Sequence, residues 1–156
     1  MLFNPDSPHK PSSVRDDDDT HWMCIDTGAN MHFISRRAVL SNHRPSSVVV
    51  TTLGPEPIQA DFDGDVTGYF EDENEKRHRV FSEGTFLSGT RLSLFSGSRA
   101  TAAGHTIIFE DRKSGKSGII LAGGGEFIPF TYCPETRLWW IPLHRRGSRD
   151  PWASSA

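Results

Sequence analysis

The sequence lacks the features that define several large classes of protein. Its 156 residues contain two cysteines, Cys24 and Cys133, too few for a disulfide framework or a cysteine-based structural zinc site. No apolar run approaches the roughly 18–20 residues of a membrane-spanning helix, and no signal peptide opens the chain. Lys and Arg number 17 against 20 Asp and Glu, a net charge of −3, which is no basic footprint for nucleic acid. We therefore expect no metal, no cofactor, no membrane insertion and no direct nucleic-acid binding.

Apolar residues are also scarce, whereas turn-forming and aromatic residues are plentiful. Hydrophobic residues make up 35% of the chain, below the ~45–50% (glycine included) of an average globular domain. There are 14 glycines and 10 prolines, and aromatic residues reach 10%. A short, turn-rich chain of this kind is typical of one small all-β domain with polar tails.

Both ends of the chain differ from its centre. Residues 1–20 contain three prolines and the run Asp16-Asp17-Asp18-Asp19 without apolar periodicity, which predicts a disordered acidic linker. Residues 144–156 carry three arginines without a pattern and are predicted to form a disordered basic tail. The ordered domain is therefore expected over residues 21–143.

Within the domain, short apolar runs alternate with Gly, Pro and Asp turns. The regular spacing of these runs predicts a β-barrel or a β-sandwich. Only residues 34–41 and 96–103 are compatible with short helices. Strands are predicted near residues 22–25, 48–52, 58–62, 66–70, 79–81, 92–95, 106–109, 119–121, 127–132 and 138–141.

The segment most informative about chemistry runs from Met23 to Asn30, Met-Cys-Ile-Asp-Thr-Gly-Ala-Asn. Asp26 ends an apolar strand, where an ionised carboxylate is costly unless it is hydrogen-bonded. Thr27 offers a hydroxyl, and Gly28 lets another backbone or a substrate approach closely. As a bare tripeptide, Asp-Thr-Gly is also compatible with an ordinary turn at the end of a strand.

The longer segment from Trp22 to His32 resembles the Trp…Asp-[Ser/Thr]-Gly-Ala…His segment of copia-type retrotransposon proteases. The resemblance continues in the same order along the chain, over residues 22–143. Leu53-Gly54 and residues 58–66 resemble the flap hairpin and the strand after it, and residues 87–96 follow the family's Val-Pro-Gly-Leu-x-x-Asn-Leu-Leu-Ser run. Residues 104–109 and 138–143 resemble two later strands. The resemblance implies an all-β, retropepsin-like closed barrel with a flap hairpin and one or two short helices.

The same resemblance implies an aspartic endopeptidase that cleaves a retrotransposon polyprotein, in the cytoplasm or within virus-like particles. Leu94 and Phe95 are candidates for packing behind the catalytic loop or lining a subsite, with a plain core role left open. The other implied site residues are Asp26 as the catalytic carboxylate, Thr27, Gly28 and Ala29 as loop support, and Leu53, Gly54 and Pro55 as the substrate-facing flap.

A single catalytic aspartate implies two chains. Peptide hydrolysis of this type uses two carboxylates that share a proton and hold a water between them. The sequence has no second Asp-[Ser/Thr]-Gly, because Asp63-Gly64-Asp65 lacks the hydroxyl residue and falls in an apparent hairpin. The prediction is a homodimer with one Asp26 from each subunit. Thr27 is then expected to bond across the subunits and Gly28 to offer its backbone to substrate.

Two other functions stay open. Pro55 and Pro57 stiffen a flap that has to open and close, and an acidic Glu56 at its tip is unusual, so an inactive interaction module with the protease fold is the main alternative. A binding sandwich that uses Trp139-Trp140 is a more distant one. His32 is expected to pack or hydrogen-bond near the active-site loop rather than to bind zinc, since the histidines form no H-x-x-x-H pair.

Overall fold

The computed structural model describes residues 14–51, 56–109 and 116–145, and within these ranges the fold is built almost entirely from short strands. Helical structure there is limited to one α-helix, α1 (Gly97–Ala102), a 3-10 turn at Arg37–Val39 and a 3-10 residue at Val14. The all-β class expected from the sequence is confirmed. The strands are β1 (Thr20–Asp26), β2 (Phe33–Ile34), β3 (Leu40–Pro45), β4 (Val49–Val50), β5 (Ile58–Gln59), β6 (Phe62–Val66), β7 (Gly68–Glu71), β8 (Arg77–His78), β9 (Glu83–Phe86), β10 (Ser93–Ser96), β11 (Thr106–Phe109), β12 (Ser117–Ile120), β13 (Phe127–Pro129), β14 (Thr131–Cys133) and β15 (Leu138–Arg145).

Ten strands form the main sheet, in the order β3-β6-β9-β2-β10-β1-β15-β7-β8 with β14 paired to β15. β1 is central, parallel to β10 and antiparallel to β15. The expected closed barrel is not found, because the two end strands of this path do not pair with each other in the described part of the chain. β3 is interrupted by a bulge between Ser41 and Arg44, and β8 has two residues. Neither strand is long and regular enough to pair with the other and close the sheet into a barrel.

β1 is central because both of its faces are apolar. Met23 and Ile25 pack in one cluster, which we name the main core, while Cys24 points to the other face and joins the second cluster. Successive side chains of a strand alternate between faces, so a strand buried on both sides reads as a continuous apolar run. The buried residues of the main core are Met23, Ile25, Ile34, Val39, Leu40, Phe62, Val66, Phe70, Phe95, Ala100, Ile119, Leu121, Ile128, Phe130, Ile141 and Leu143. Those of the second cluster are Val14, Cys24, Phe33, Val50, Ala60, Leu87, Leu94, Cys133 and Trp140.

The two predicted helices had different outcomes. The helix at 96–103 is confirmed as α1, with Ser96 as N-cap accepting the Arg99 N–H at 3.1 Å. The helix at 34–41 is wrong, because this segment forms the 3-10 turn and then enters β3, which pairs with β6. The predicted strand at 79–81 is also absent, and Val80 and Phe81 pack on the main core without joining a ladder.

The Asp63-Gly64-Asp65 segment is not a hairpin. It lies inside β6, paired with β3 on one side and β9 on the other. A Cβ on Gly64 would lie 2.9 Å from both the Leu40 Cβ and the Ser41 carbonyl oxygen. The glycine is therefore explained by the close approach of β3 rather than by a turn.

The boundaries of the ordered domain are wider than predicted. Val14 is completely buried in the second cluster. The Asp17 carboxylate accepts the backbone N–H groups of Asp19 and Thr20 at 2.8 and 2.7 Å, which turns the chain into β1. Residues 14–20 and 144–145 therefore belong to the fold, and the rest of both predicted tails, 1–13 and 146–156, lies outside the described residues.

Candidate functional site

The candidate site is the turn that follows β1. Asp26 is half-buried at the end of the strand, and its Oδ1 accepts the Gly28 N–H at 2.9 Å. The Ala29 N–H bonds back to the Asp26 carbonyl at 3.4 Å and closes the turn. Thr27 and Gly28 are exposed. The chain thus presents an oriented carboxylate on an exposed loop.

The underside of this loop is bonded to the junction of β10 and α1. The buried Ala29 accepts hydrogen bonds on its carbonyl from Ser96 Oγ at 2.5 Å and Ser98 Oγ at 2.9 Å. A Cβ on Gly97 would come within 3.1 Å of the Thr27 Cα, so the two segments are in close contact. The sequence analysis missed this support, because a serine before a short helix indicates at most an N-cap and not a contact with the Asp26 loop.

Arg99 and His32 extend the support beyond the loop. Arg99 Nε donates to the Asn30 carbonyl at 3.0 Å, and its Nη2 contacts Met31 Sδ at 2.9 Å. His32 is buried, and its Nδ1 accepts the Ser96 N–H at 3.0 Å. Burial, helped by the nearby Arg99 charge, lowers the pKa of His32 to about 3, so the ring is neutral at ordinary pH. The expectation that His32 is packed and hydrogen-bonded near the loop is confirmed.

Leu94 and Phe95 are both buried in β10, on opposite faces. Phe95 is fully enclosed in the main core, with its ring 4.8 Å from that of His32. Leu94 lies opposite Cys24 in the parallel pairing and belongs to the second cluster. Both residues therefore pack in the core behind the Asp26 loop.

The hairpin expected to form the flap is present at its base. β4 and β5 pair in antiparallel register, with Val50 opposite Ile58. Both residues pack on the second cluster, which also contains Cys24 and Leu94. The predicted tip residues Leu53, Gly54 and Pro55 lie outside the described residues.

A row of polar side chains that the sequence did not reveal lies beside β1. His21 bonds the Asp16 carboxylate through Nδ1 and Ser93 Oγ through Nε2, the latter at 2.5 Å. These are the residue types of a nucleophilic triad. Ser93 is completely buried, however, and its Oγ accepts the Ser35 N–H at 2.8 Å. The row therefore anchors the segment before β1 and presents no accessible nucleophile.

No family model matches the sequence, and no curated protein or solved structure matches it significantly.

The described residues contain neither a metal-ligand cluster nor a membrane-spanning helix. Among the described residues, no three His, Cys, Asp or Glu side chains come together as potential metal ligands. Nor does any helix in residues 14–51, 56–109 and 116–145 have the length and apolar content of a membrane span.

Proposed function

We propose that this chain is one half of an aspartic endopeptidase, whose active site is completed by Asp26 of a second copy. The observation that carries the proposal is the Asp26 turn itself. A carboxylate at the end of the central strand is oriented by the Gly28 N–H and displayed on an exposed loop with a hydrogen-bonded underside. Preorganised groups of this kind lose little freedom during a reaction.

The chemistry requires a second carboxylate. One ionised carboxylate takes a proton from the attacking water, while the other, protonated, donates a hydrogen bond to the scissile carbonyl. Two carboxylates this close do not both ionise easily, so their titration belongs to the pair.

The same chain does not offer its Asp63 and Asp65 for this purpose. Asp63 accepts the Thr85 hydroxyl at 2.8 Å. Asp65 accepts from Asn42 and Arg44, and these hydrogen bonds hold its pKa below the usual range, so that the group stays ionised. Both carboxylates have structural partners inside the sheet, which supports a second copy as the source of the missing group.

The exposed side of the loop supports the same conclusion. A Cβ on Gly28 would meet nothing closer than the Asp26 carboxylate at 3.5 Å, an ordinary contact. Packing within one chain therefore does not require a glycine here. A close approach from outside, by a second subunit or a substrate backbone, does explain it.

The substrate class follows from the resemblance stated above. The base of the β4–β5 hairpin packs on the second cluster beside Cys24, which precedes Asp26 by two residues. A hairpin so placed can cover an extended peptide. The retrotransposon polyprotein as the natural substrate rests on the sequence resemblance.

The first prediction tests Asp26 directly. Asp26→Asn should abolish cleavage of a precursor that contains this domain, with a loss of at least about 10²–10⁴-fold, because an amide neither takes up nor shares the proton. The measurement is appearance of processed fragments after expression of the precursor. Asp18→Asn, at an exposed carboxylate, is the matched control and should process normally. Undiminished processing by the folded Asp26→Asn protein would contradict the proposal, and a folded, dimeric wild type without any cleavage would favour the interaction module.

A further inference from the structure

Strands β11, β12 and β13 form a separate three-stranded sheet, in which β11 is an edge strand. β11 pairs with β12 in antiparallel register, with Ile108 opposite Gly118. In the described part of the chain, no strand pairs with the other side of β11. The outer edge of β11 is therefore a place where a further strand can add.

Hydrogen bonds along β12 alternate between its two neighbours. The Phe130 N–H, just after β13, donates to the Ser117 carbonyl at 2.8 Å. In an antiparallel ladder the bonded side changes from each residue to the next, so Gly118 bonds toward β11, where Ile108 lies opposite it. Ile108 therefore directs its own backbone groups into the sheet.

By the same alternation, Ile107 and Phe109 direct their backbone groups away from the sheet. The N–H and C=O groups of these two residues form no hydrogen bond in the part of the chain that the structure describes. The Phe109 side chain is 46% exposed, so this edge reaches the surface. β11 thus presents two donors and two acceptors with the spacing of a strand ladder.

The side chains of β11 do not oppose pairing of the strand with its own copy. Its sequence is Thr-Ile-Ile-Phe, without a charged residue or a proline. Pairing around a two-fold axis places residues of the same strand opposite each other, where like charges would repel. In β11 such a pairing brings only hydroxyl, aliphatic and aromatic groups together.

The position of β11 favours a second copy of this chain as the source of the added strand. A Cβ on Gly97 would lie 3.3 Å from Ile107 Cδ1 and 3.1 Å from the Thr27 Cα. β11 and the Asp26 loop therefore pack against the same glycine. The proposed dyad requires the Asp26 loops of two copies to lie close to one two-fold axis. An axis that passes beside β11 also passes close to the Asp26 loop of each copy.

We propose that the second copy binds at this edge, with the β11 strands of the two copies paired in antiparallel register and the two three-stranded sheets joined into one. The register that uses all outward backbone groups places Ile107 of each copy opposite Phe109 of the other. Ile108 then lies opposite Ile108 of the second copy, in a pair without hydrogen bonds between its members, where side chains are closest. The choice of a second copy as the occupant rests on the proposed function.

A cysteine in place of Ile108 tests this register. The Cα atoms of such a pair are about 4.5 Å apart, within the range of a disulfide. After mild oxidation of the full chain, most Ile108→Cys protein should run as a covalent dimer on a non-reducing gel and as a single chain after reduction. Ser41→Cys, at an exposed position on the edge strand β3, is the matched control and should remain a single chain, as should the wild type, whose two cysteines are buried. Equal yields of covalent dimer from the two variants would overturn the proposed pairing.

A proline in place of Phe109 tests the backbone hydrogen bonds. Because the Phe109 N–H points outward, Phe109→Pro removes a bond between the copies and none within the sheet. Phe109→Thr is the matched control, since it removes the same ring and keeps the N–H. Sedimentation should show dimers at least about tenfold weaker for Phe109→Pro than for Phe109→Thr, because each dimer loses two hydrogen bonds. Equal dimer affinities of the two folded variants would mean that the copies associate elsewhere.

Dimer formation and peptide cleavage are measured separately, so that the pairing and the proposed function fail independently. Dimers that show both the cross-link and the proline effect but cleave no peptide would support the pairing and contradict the peptidase. Dimers that cleave peptide without either effect would support the peptidase and overturn the pairing. A wild type that is monomeric at every concentration would overturn both.

Discussion

Three of the hydrogen bonds that Ser96 makes join three parts of the site. Its N–H donates to His32 Nδ1, its Oγ–H donates to the Ala29 carbonyl, and the same Oγ accepts the Arg99 N–H as the cap of α1. The residue is completely buried. One side chain thus couples the Asp26 loop to the helix that follows β10.

Replacement of Ser96 by alanine should lower the free energy of unfolding by about 1–3 kcal/mol, because the change removes a cap and a buried donor. Urea unfolding followed by circular dichroism measures the effect. Ser98→Ala is the matched control. It removes a hydroxyl from an exposed residue that caps no helix and should cost less. An equal or larger loss in Ser98→Ala would show that the cap and loop bonds of Ser96 contribute little.

His32 makes stability depend on pH in a predictable direction. Its pKa falls from 6.5 in the unfolded chain to about 3 in the fold, so below pH 6.5 the unfolded state binds the proton and the folded state does not. Stability from this group is complete above pH 6.5 and falls by up to about 1.4 kcal/mol per pH unit down to pH 3. The ring nitrogen signals in NMR should remain those of a neutral imidazole at pH 5. A ring that becomes charged near pH 6 in the folded protein would contradict this prediction.

The residues of the site differ in how far the sequence predicts them. Asp26 is identifiable because the carboxylate, hydroxyl residue and glycine follow one another after an apolar strand. Ser96, Arg99 and His32 are not, because the parallel pairing of β1 with β10 brings them together across more than 60 residues of chain. A pairing between segments so far apart leaves no local pattern in the sequence from which these residues could be predicted.

At the scale of elements, most strands that consist of an apolar run were predicted, and strands that depend on pairing alone were missed. β1, β11 and β15 follow apolar runs. β3 and β9 were missed, because Leu40–Pro45 is mostly exposed and polar and Glu83–Phe86 begins with an acid and a glycine. The ladder to β6 places both as strands despite weak propensity.

The three-stranded sheet β11-β12-β13 provides a test of close backbone packing. A Cβ on Gly118 would lie 2.2 Å from the Ile128 carbonyl oxygen, so Gly118→Ala has to push β12 and β13 apart. We expect a loss of about 1–3 kcal/mol in the free energy of unfolding. Gly123→Ala is the control, because nothing lies within 4 Å of its Cβ position. Equal stability of the two variants by urea unfolding would contradict the packing described here.

At the scale of the whole molecule, the proposed dyad makes activity a property of pairs of chains. Mixing the wild type with an equal amount of Asp26→Asn protein and allowing exchange should reduce activity per wild-type chain to about half, since mixed pairs carry one catalytic carboxylate. The measurement is the cleavage rate of a peptide substrate at a concentration where pairs form. Addition of Asp18→Asn protein instead should not reduce it. Full activity in the Asp26→Asn mixture would mean that one chain suffices.

The interrupted strand β3 and the short strand β8 have a consequence for association. A sheet that does not close exposes unpaired backbone groups along its edges, where strands of other molecules can add and aggregation can begin. On β3 that edge is broken by the bulge, by Asn42 at a φ of 51° and by Pro45, which has no N–H to donate. The exposed edge of β8 is only two residues long. Backbone pairing with another molecule is therefore disfavoured at these two edges of the main sheet, and we expect the proposed second copy to bind elsewhere on the surface.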